Sequence, residues 1–283
     1  MKFAFQCFHL FGAKVFSCVR FMGKIALQEF DRQLPDVGGC SPFKLRNGFF
    51  ALFLNGKEDF FFLGDDLVSK FGEQHHSKIQ VMYNGWDKAD FAIMKHQPTS
   101  SDKYIISYLG SLYGKQSVAY FIKALKKLRI SGNLPANLEI RFIGNFYREN
   151  LELLKSHELR DVIKLIPQVE HFKALELMQE SDLLLLFLPS KLCKSVVMGK
   201  VFEYMRSGVE IMAMIPSDNE TARLLKEFNY NNICPMEEVD KIAKMLQKCI
   251  KQKRVKREYR TELEKYSREK QVQQLGLRME ELK

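Results

Sequence analysis

Met198-Gly-Lys-Val-Phe-Glu-Tyr-Met-Arg-Ser-Gly208, continued by Val209-Glu-Ile-Met-Ala-Met-Ile215, reads as a helix entered at one glycine and left at another into a buried strand. The apolar run Ile211–Ile215 is of strand length and suits a sheet covered on both faces. Lys200 stands in the first turn of the helix, where free backbone N–H groups and the helix dipole already favour an anion. Glu203 follows three residues later on the same face. On these residues alone two readings stay open. One charge holds a diphosphate while the other accepts ribose hydroxyls, or the two form a surface pair worth about 0.2–0.5 kcal/mol to their own helix.

Outward from this segment, short apolar runs alternate with amphipathic ones, the pattern of a parallel sheet flanked by helices. Strands are predicted at Tyr104–Leu109, Leu138–Ile143, Asp161–Ile166, Leu183–Leu188, Val209–Ile215 and near Asn232–Cys234. Helical spacing joins Val118, Phe121, Ile122, Leu125 and Leu128, and again Ile242, Met245, Leu246, Cys249 and Ile250 in a helix from about Glu237. Further helices are predicted over Asn150–His157 and His171–Glu180, and Ser217-Asp-Asn-Glu220 has the spacing of a capping box. The fold class is therefore α/β, a Rossmann-like parallel sheet. Right-handed crossovers bring the loops at Gly110, Gly144, Pro167 and Pro189 to one edge, where ligands of open α/β sheets bind.

The first 75 residues are rich in phenylalanine, punctuated by Pro35-Asp36-Val37-Gly38-Gly39 and Asn55-Gly56, and show no such alternation. The expected organisation is a short N-terminal region over 1–77, the Rossmann-like domain over 78–255 and a charged helical tail over 256–283. His96 to Asp102 is expected to be a surface loop.

With 283 residues, 46% of them hydrophobic, the chain can build a sizeable core. No apolar run approaches the roughly 18 residues of a membrane span. The apolar start, Met1 to Ala13, is interrupted by His9, so a secretory signal is not expected and the chain reads as cytoplasmic. Cys7, Cys18, Cys40, Cys193, Cys234 and Cys249 lack Cys-x-x-Cys spacing, which argues against structural zinc and a disulfide framework and for idle thiols. A net charge of +10 attracts anions. Much of it lies in Lys244–Arg260, without the aromatic interleaving of a nucleic-acid platform. That cluster reads first as a solvated helix face and second as a contact for anionic lipid at the inner surface of a membrane.

Taken in order, these motifs resemble the nucleotide-sugar-binding lobe of the two-lobed retaining glycosyltransferases called GT-B, family 4-like, over about Lys78 to Leu282. Asn84-Gly-Trp-Asp87 with Asp90-Phe91 resembles the family's interlobe element, and Tyr108-Leu-Gly-Ser-Leu-Tyr-Gly-Lys115 its first phosphate loop. Gly199-Lys-Val-Phe-Glu-Tyr204 resembles its helix, and Tyr266-Ser-Arg-Glu269 its closing helix.

The resemblance implies a metal-independent, retaining transfer of a sugar from a nucleoside-diphosphate sugar to an acceptor hydroxyl. The donor is a substrate, and no cofactor or metal is implied. Glu203 would accept hydrogen bonds from the ribose, and Lys200 and Lys115 would neutralise the diphosphate. Gly110 and Ser111 would cradle phosphates or sugar, Gly199 opens the helix, and Gly144-Asn145 with Gln168-Val169 would border the base. For Asn145, Gln168 and His171 a plain turn or helix-start role is the stronger reading.

Departures set the alternative. Where many relatives carry a glutamate eight residues before the ribose-binding one, this chain has Ser195; Ser111 stands where an arginine is common, and Lys115 is displaced by one position. Residues 1–75 fall short of an acceptor lobe of about 100–200 residues, and none of His9, His75 and His76 matches the family's acceptor-lobe histidine. A partner chain would then supply that lobe, with a glycan or other hydroxyl compound as acceptor and no nucleic acid as partner. The alternative is a catalytically inactive module that binds sugar nucleotides or a partner.

Overall fold

The computed structural model describes residues 49–54, 57–62, 79–81, 83–92, 102–112, 116–190, 196–252 and 257–281. Lys115, Ser195, the three N-terminal histidines, Asn55-Gly56, Cys7, Cys18, Cys40 and Cys193 lie outside the described residues. The chain divides into two compact units, one of Met1–Asn84 with Lys265–Lys283 and one of Gly85–Glu264.

In the first unit, β1 (Phe49–Leu54) pairs antiparallel with β2 (Lys57–Phe62), Leu54 standing opposite Lys57, and β3 (Ile79–Val81) adds parallel to β2. The second unit opens with α1 (Lys88–Ala92) and then alternates strand and helix. Its first half is β4 (Tyr104–Leu109), α2 (Ala119–Ile130), β5 (Leu138–Ile143), α3 (Arg148–Leu154), β6 (Ile163–Ile166) and α4 (His171–Gln179). Its second half is β7 (Leu183–Phe187), α5 (Lys200–Ser207), β8 (Glu210–Met214), α6 (Glu220–Glu227), β9 (Asn232–Cys234) and α7 (Val239–Lys251). The closing helix α8 (Arg268–Glu281) returns to the first unit, where the Gln271 side chain accepts from the Tyr83 N–H at 3.2 Å.

The six strands of the second unit are all parallel, in the order β6-β5-β4-β7-β8-β9. The chain runs outward through β4, β5 and β6, then returns to place β7 beside β4 and runs outward the other way. β4 and β7 therefore flank the switch point, the part of the carboxyl edge where ligands of open α/β sheets bind.

Alternation along the strands sorts the core into two layers. Ile106, Tyr108, Ile140, Phe142, Leu185, Phe187, Met212 and Met214 pack against α2 and α7, whose Phe121, Leu125, Leu128, Ile242, Leu246 and Cys249 share one buried cluster with them. The other strand face, with Ile105, Leu109, Leu184, Leu186 and Ile211, is buried as well. Helices α4, α5 and α6 contact one another in series, and α4 reaches β4. Cys234 and Cys249 are buried free thiols in this core, and burial pushes them up to about 11 and about 12.

At the opposite edge, Glu139 is buried with three cations around it, Lys103 at 3.0 Å, Arg141 at 2.8 Å and Lys164 at 2.7 Å. Burial alone would push this carboxyl up; the three cations outweigh it and hold the group down at about 2. The cluster ties the starts of β4, β5 and β6 and leaves the carboxyl edge open.

The capping box at Ser217 does not form. Asn219 caps α6, its side chain accepting from the Thr221 N–H at 2.8 Å, and the Glu220 carboxylate instead takes both Nε and Nη2 of Arg223. The cap falls two residues later because Asn219 and Thr221 are also needed elsewhere: both donate to the Val196 carbonyl at 3.1 Å, holding the chain that leads into α5.

Candidate functional site

Helix α5 begins without a side-chain cap, since Gly199 offers none, and ends on Gly208 in left-handed backbone at φ 70°. Its amino end therefore presents backbone N–H groups free of a capping side chain. The approach to it is fixed from behind, because the Met198 N–H donates to Thr221 Oγ1 at 3.2 Å in addition to the two bonds on Val196. At its far end the Arg206 guanidinium packs on three rings, Trp86 at 4.8 Å, Phe91 at 5.0 Å and Tyr259 at 4.2 Å. This brings the Trp86–Phe91 segment onto α5, and Asp90 within it accepts from or is bound by His171 at 2.8 Å.

From the first turn of α5, Lys200 crosses the end of β4. Its Nζ donates to Tyr108 Oη at 2.9 Å and to the Leu109 carbonyl at 2.7 Å, and stands 4.1 Å from the centre of the Tyr108 ring. Tyr108 passes the polarisation on, donating to the Ser111 carbonyl at 3.1 Å. Glycine at position 110 is what lets the ammonium pass: its φ is +116°, and a Cβ there would lie 2.8 Å from Lys200 Nζ. Burial draws the Lys200 ammonium down to about 7 from its ordinary 10.5, against the opposing pull of the Glu203 carboxylate. Lys200 is thus held half-buried at the open edge, where the effect of burial on the ammonium outweighs the pull of Glu203.

The neighbouring strand ends close on this point. Gly144, at φ +136°, approaches Gly110 so tightly that a Cβ would meet the Gly110 carbonyl at 2.4 Å. The Gly110 N–H donates to the Ile143 carbonyl at 2.8 Å and the Gly144 N–H to the Ile166 carbonyl at 3.0 Å. Asn145 donates to Gln168 at 2.5 Å, linking the loops after β5 and β6 at the surface, and Val169 follows half-buried. Gly110, Ser111, Gly144, Asn145, Gln168 and Lys200 therefore share one edge, while Glu203 sits half-buried in the first turn of α5, near enough to influence Lys200.

Two tyrosines were missed by sequence reasoning. Tyr108 is the acceptor and ring partner of Lys200, and Tyr204, with no exposed surface, accepts the Leu109 N–H at 3.1 Å. Both are tyrosines within apolar stretches, and a buried tyrosine hydroxyl demands a partner. Asn150 was missed too: it is buried, accepts from the Val118 N–H at 3.0 Å and donates to the Gln116 carbonyl at 3.0 Å, fixing the chain into α2. Replacing Tyr204 by Phe strands the buried Leu109 N–H and is expected to destabilise the protein by about 1–3 kcal/mol, read from a lower urea midpoint at unchanged slope.

The sequence profile described as glycosyl transferases group 1 matches residues 90–270, more than half of the chain. The chain belongs to the group 1 glycosyl transferase family. The chain is also similar in fold to WaaG, a glycosyltransferase involved in lipopolysaccharide biosynthesis, with a TM-score of 0.53 at 16% identity over 68% of this chain and 53% of that one. A mutant of S. aureus TarM in complex with fondaparinux, α-GlcNAc-glycerol and UDP matches with a TM-score of 0.54 at 12% identity, over 76% of this chain and 41% of TarM. The matches thus span about half the length of these relatives or less. No curated protein matches the chain significantly. The parallel sheet, its flanking helices and the GT-B-like lobe expected from the sequence are those found.

Proposed function

We propose that the protein transfers a glycosyl group from a nucleoside-diphosphate sugar to an acceptor hydroxyl, without a metal and with retention of configuration. The observation that carries this reading is the Lys200 ammonium, held at the switch-point edge beside a glycine and at the amino end of a helix. An ammonium has three N–H donors. Two are spent on Tyr108 and Leu109, which fix its position, and the third is left for a phosphate oxygen. As the bond from the sugar to the diphosphate breaks, charge grows on the departing phosphate, and Lys200 and the helix N-terminus offset it without reorganising. Glu203, one turn along, accepts from ribose hydroxyls, and the Asn145–Gln168 pair borders the base. Lys115 adds a second positive charge in this scheme. The acceptor is a glycan or another hydroxyl compound, held by a second lobe that a partner chain can supply.

Calorimetric titration with UDP-, GDP- and ADP-sugars tests the proposal, with product analysis for transfer. Binding of one of them with turnover is expected, and binding without turnover would leave only the donor-site half of the proposal. No binding by any of them would remove it. The pH dependence carries a further mark of Lys200. The ammonium of the free protein loses its proton near pH 7, and a bound diphosphate favours the charged form. Below that pH the site is already charged. Above it, binding draws in a proton, so donor affinity is expected to fall by up to about tenfold per pH unit. Heats measured in buffers of different ionisation enthalpy would show proton uptake above pH 7 and none with Lys200→Met.

A further inference from the structure

The sheet face opposite α4–α6 carries a second charged feature that sugar transfer does not use. Helix α7 buries Ile242, Ala243, Leu246 and Cys249 against the core, and Lys241, Lys244, Lys248 and Lys251 are exposed. At 100° per residue these four lysines fall within an arc of about 80°, over a length of about 15 Å. Lys241 pairs with Glu238, but Lys244, Lys248 and Lys251 make no ion pair among the described residues. Helix α2 packs alongside, joined through Lys127 and Asp240 at 2.6 Å, and adds the exposed Lys123. From Lys241 to Arg257 the sequence holds eight basic residues and no acidic one.

We propose that the solvent face of α7, with its neighbour α2, is a docking surface for the anionic headgroups of a lipid bilayer. Three observations select this occupant. The charges are lysines in a row, point cations suited to a diffuse array of headgroups and not to bidentate reading of one phosphate. No aromatic residue occurs between Val239 and Lys256, so the stacking platform of a single-strand nucleic-acid binder is lacking. Ile130, at the end of α2, is 88% exposed, an apolar side chain beside the cations that can settle at the headgroup boundary. No described helix is long and apolar enough to cross a membrane, so this contact is peripheral. Because α7 covers one sheet face while Gly110 and Lys200 open at the carboxyl edge, docking leaves that edge accessible.

Flotation of the full chain with phosphatidylcholine vesicles, with and without about one third phosphatidylglycerol, tests the proposal. Binding is expected to the anionic vesicles only and to weaken as salt rises. Each lysine contributes about fivefold, so Lys244→Gln, Lys248→Gln and Lys251→Gln together should lower partitioning by about 100-fold. The three corresponding Lys→Arg changes should restore it, and Lys173→Gln with Lys226→Gln, on helices α4 and α6, should leave it unchanged. Equal binding to neutral vesicles, binding indifferent to the triple change, or tighter binding to duplex RNA of matched charge at the same salt would overturn the proposal. If the glutamine triple fails to fold, the salt dependence of the wild type and the arginine triple still decide it.

Discussion

Lys200→Met is expected to lower glycosyl transfer by about 10²- to 10³-fold while leaving the protein at least as stable as the wild type near neutral pH. The first half follows from where the ammonium stands. It is the cation placed at the end of β4 by two hydrogen bonds and an aromatic face, and a donor aimed at developing charge in a partly dry site is worth about 3–4 kcal/mol when removed. The second half follows from linkage. The folded-state value of Lys200 is about 7 and its ordinary value 10.5, so between these the unfolded chain binds more protons than the folded one. Stability of the wild type therefore rises with pH across that window, and the cost of holding the ammonium half-buried is complete below it. Methionine fills the same space without that cost; Tyr108 keeps its bond to the Ser111 carbonyl, and the Leu109 carbonyl it abandons adjoins the exposed Gly110. The advantage of the variant should thus be full below pH 7 and fade toward pH 10.5. Steady-state rates paired with urea unfolding on both sides of the window check this. Loss of activity together with loss of stability at low pH would make Lys200 a structural residue.

Much of this architecture was legible in the sequence for a definite reason. Strands β4, β5 and β9 begin and end as expected because each is a short strand-favouring stretch closed by a turn residue, Gly110, Gly144 or Pro235, so local chemistry and burial agree. Agreement fails where one residue serves two masters. Ser217 and Glu220 have the spacing of a capping box, but Asn219 and Thr221 also hold the Val196 carbonyl, and that tertiary demand moves the helix start. The candidate site divides in the same way. Lys200, Gly110 and Gly144 could be named because glycines at strand ends and a lysine in a first turn are local signals. The bonds from Lys200 to Tyr108 and from the Leu109 N–H to Tyr204 were not legible, since they span 92 and 95 positions of sequence. The cations around Glu139 likewise come from three separate strands and flanks, and only the register of β4, β5 and β6 brings them together.

Gly144→Ala is expected to be the most damaging single methyl addition at this edge, costing about 3 kcal/mol or more of stability. Two terms combine there. Backbone at φ +136° is strained for any residue with a side chain, and the new Cβ would sit 2.4 Å from the Gly110 carbonyl oxygen and 2.8 Å from its carbon. Neither is the tip of a flexible side chain, so the loop after β4 must move. That loop in turn has no slack toward Lys200, because Gly110 already allows the ammonium only the space a Cβ would take. A shift of about 1 Å at a positioned catalytic group can cost about 10²-fold in rate, so transfer should fall even in the fraction that remains folded. Gly132→Ala supplies the reference. Gly132 also has positive φ, at +69°, but no atom lies within 4 Å of its added Cβ, so it carries only the milder strain of left-handed helical backbone, about 1 kcal/mol. Urea unfolding of both variants gives the difference, which combines the contact between the two strand-end glycines with the greater strain of φ +136°. Equal losses would mean that neither the contact nor the extra strain carries energy, and the tight fit around Gly110 and Lys200 would lose its support.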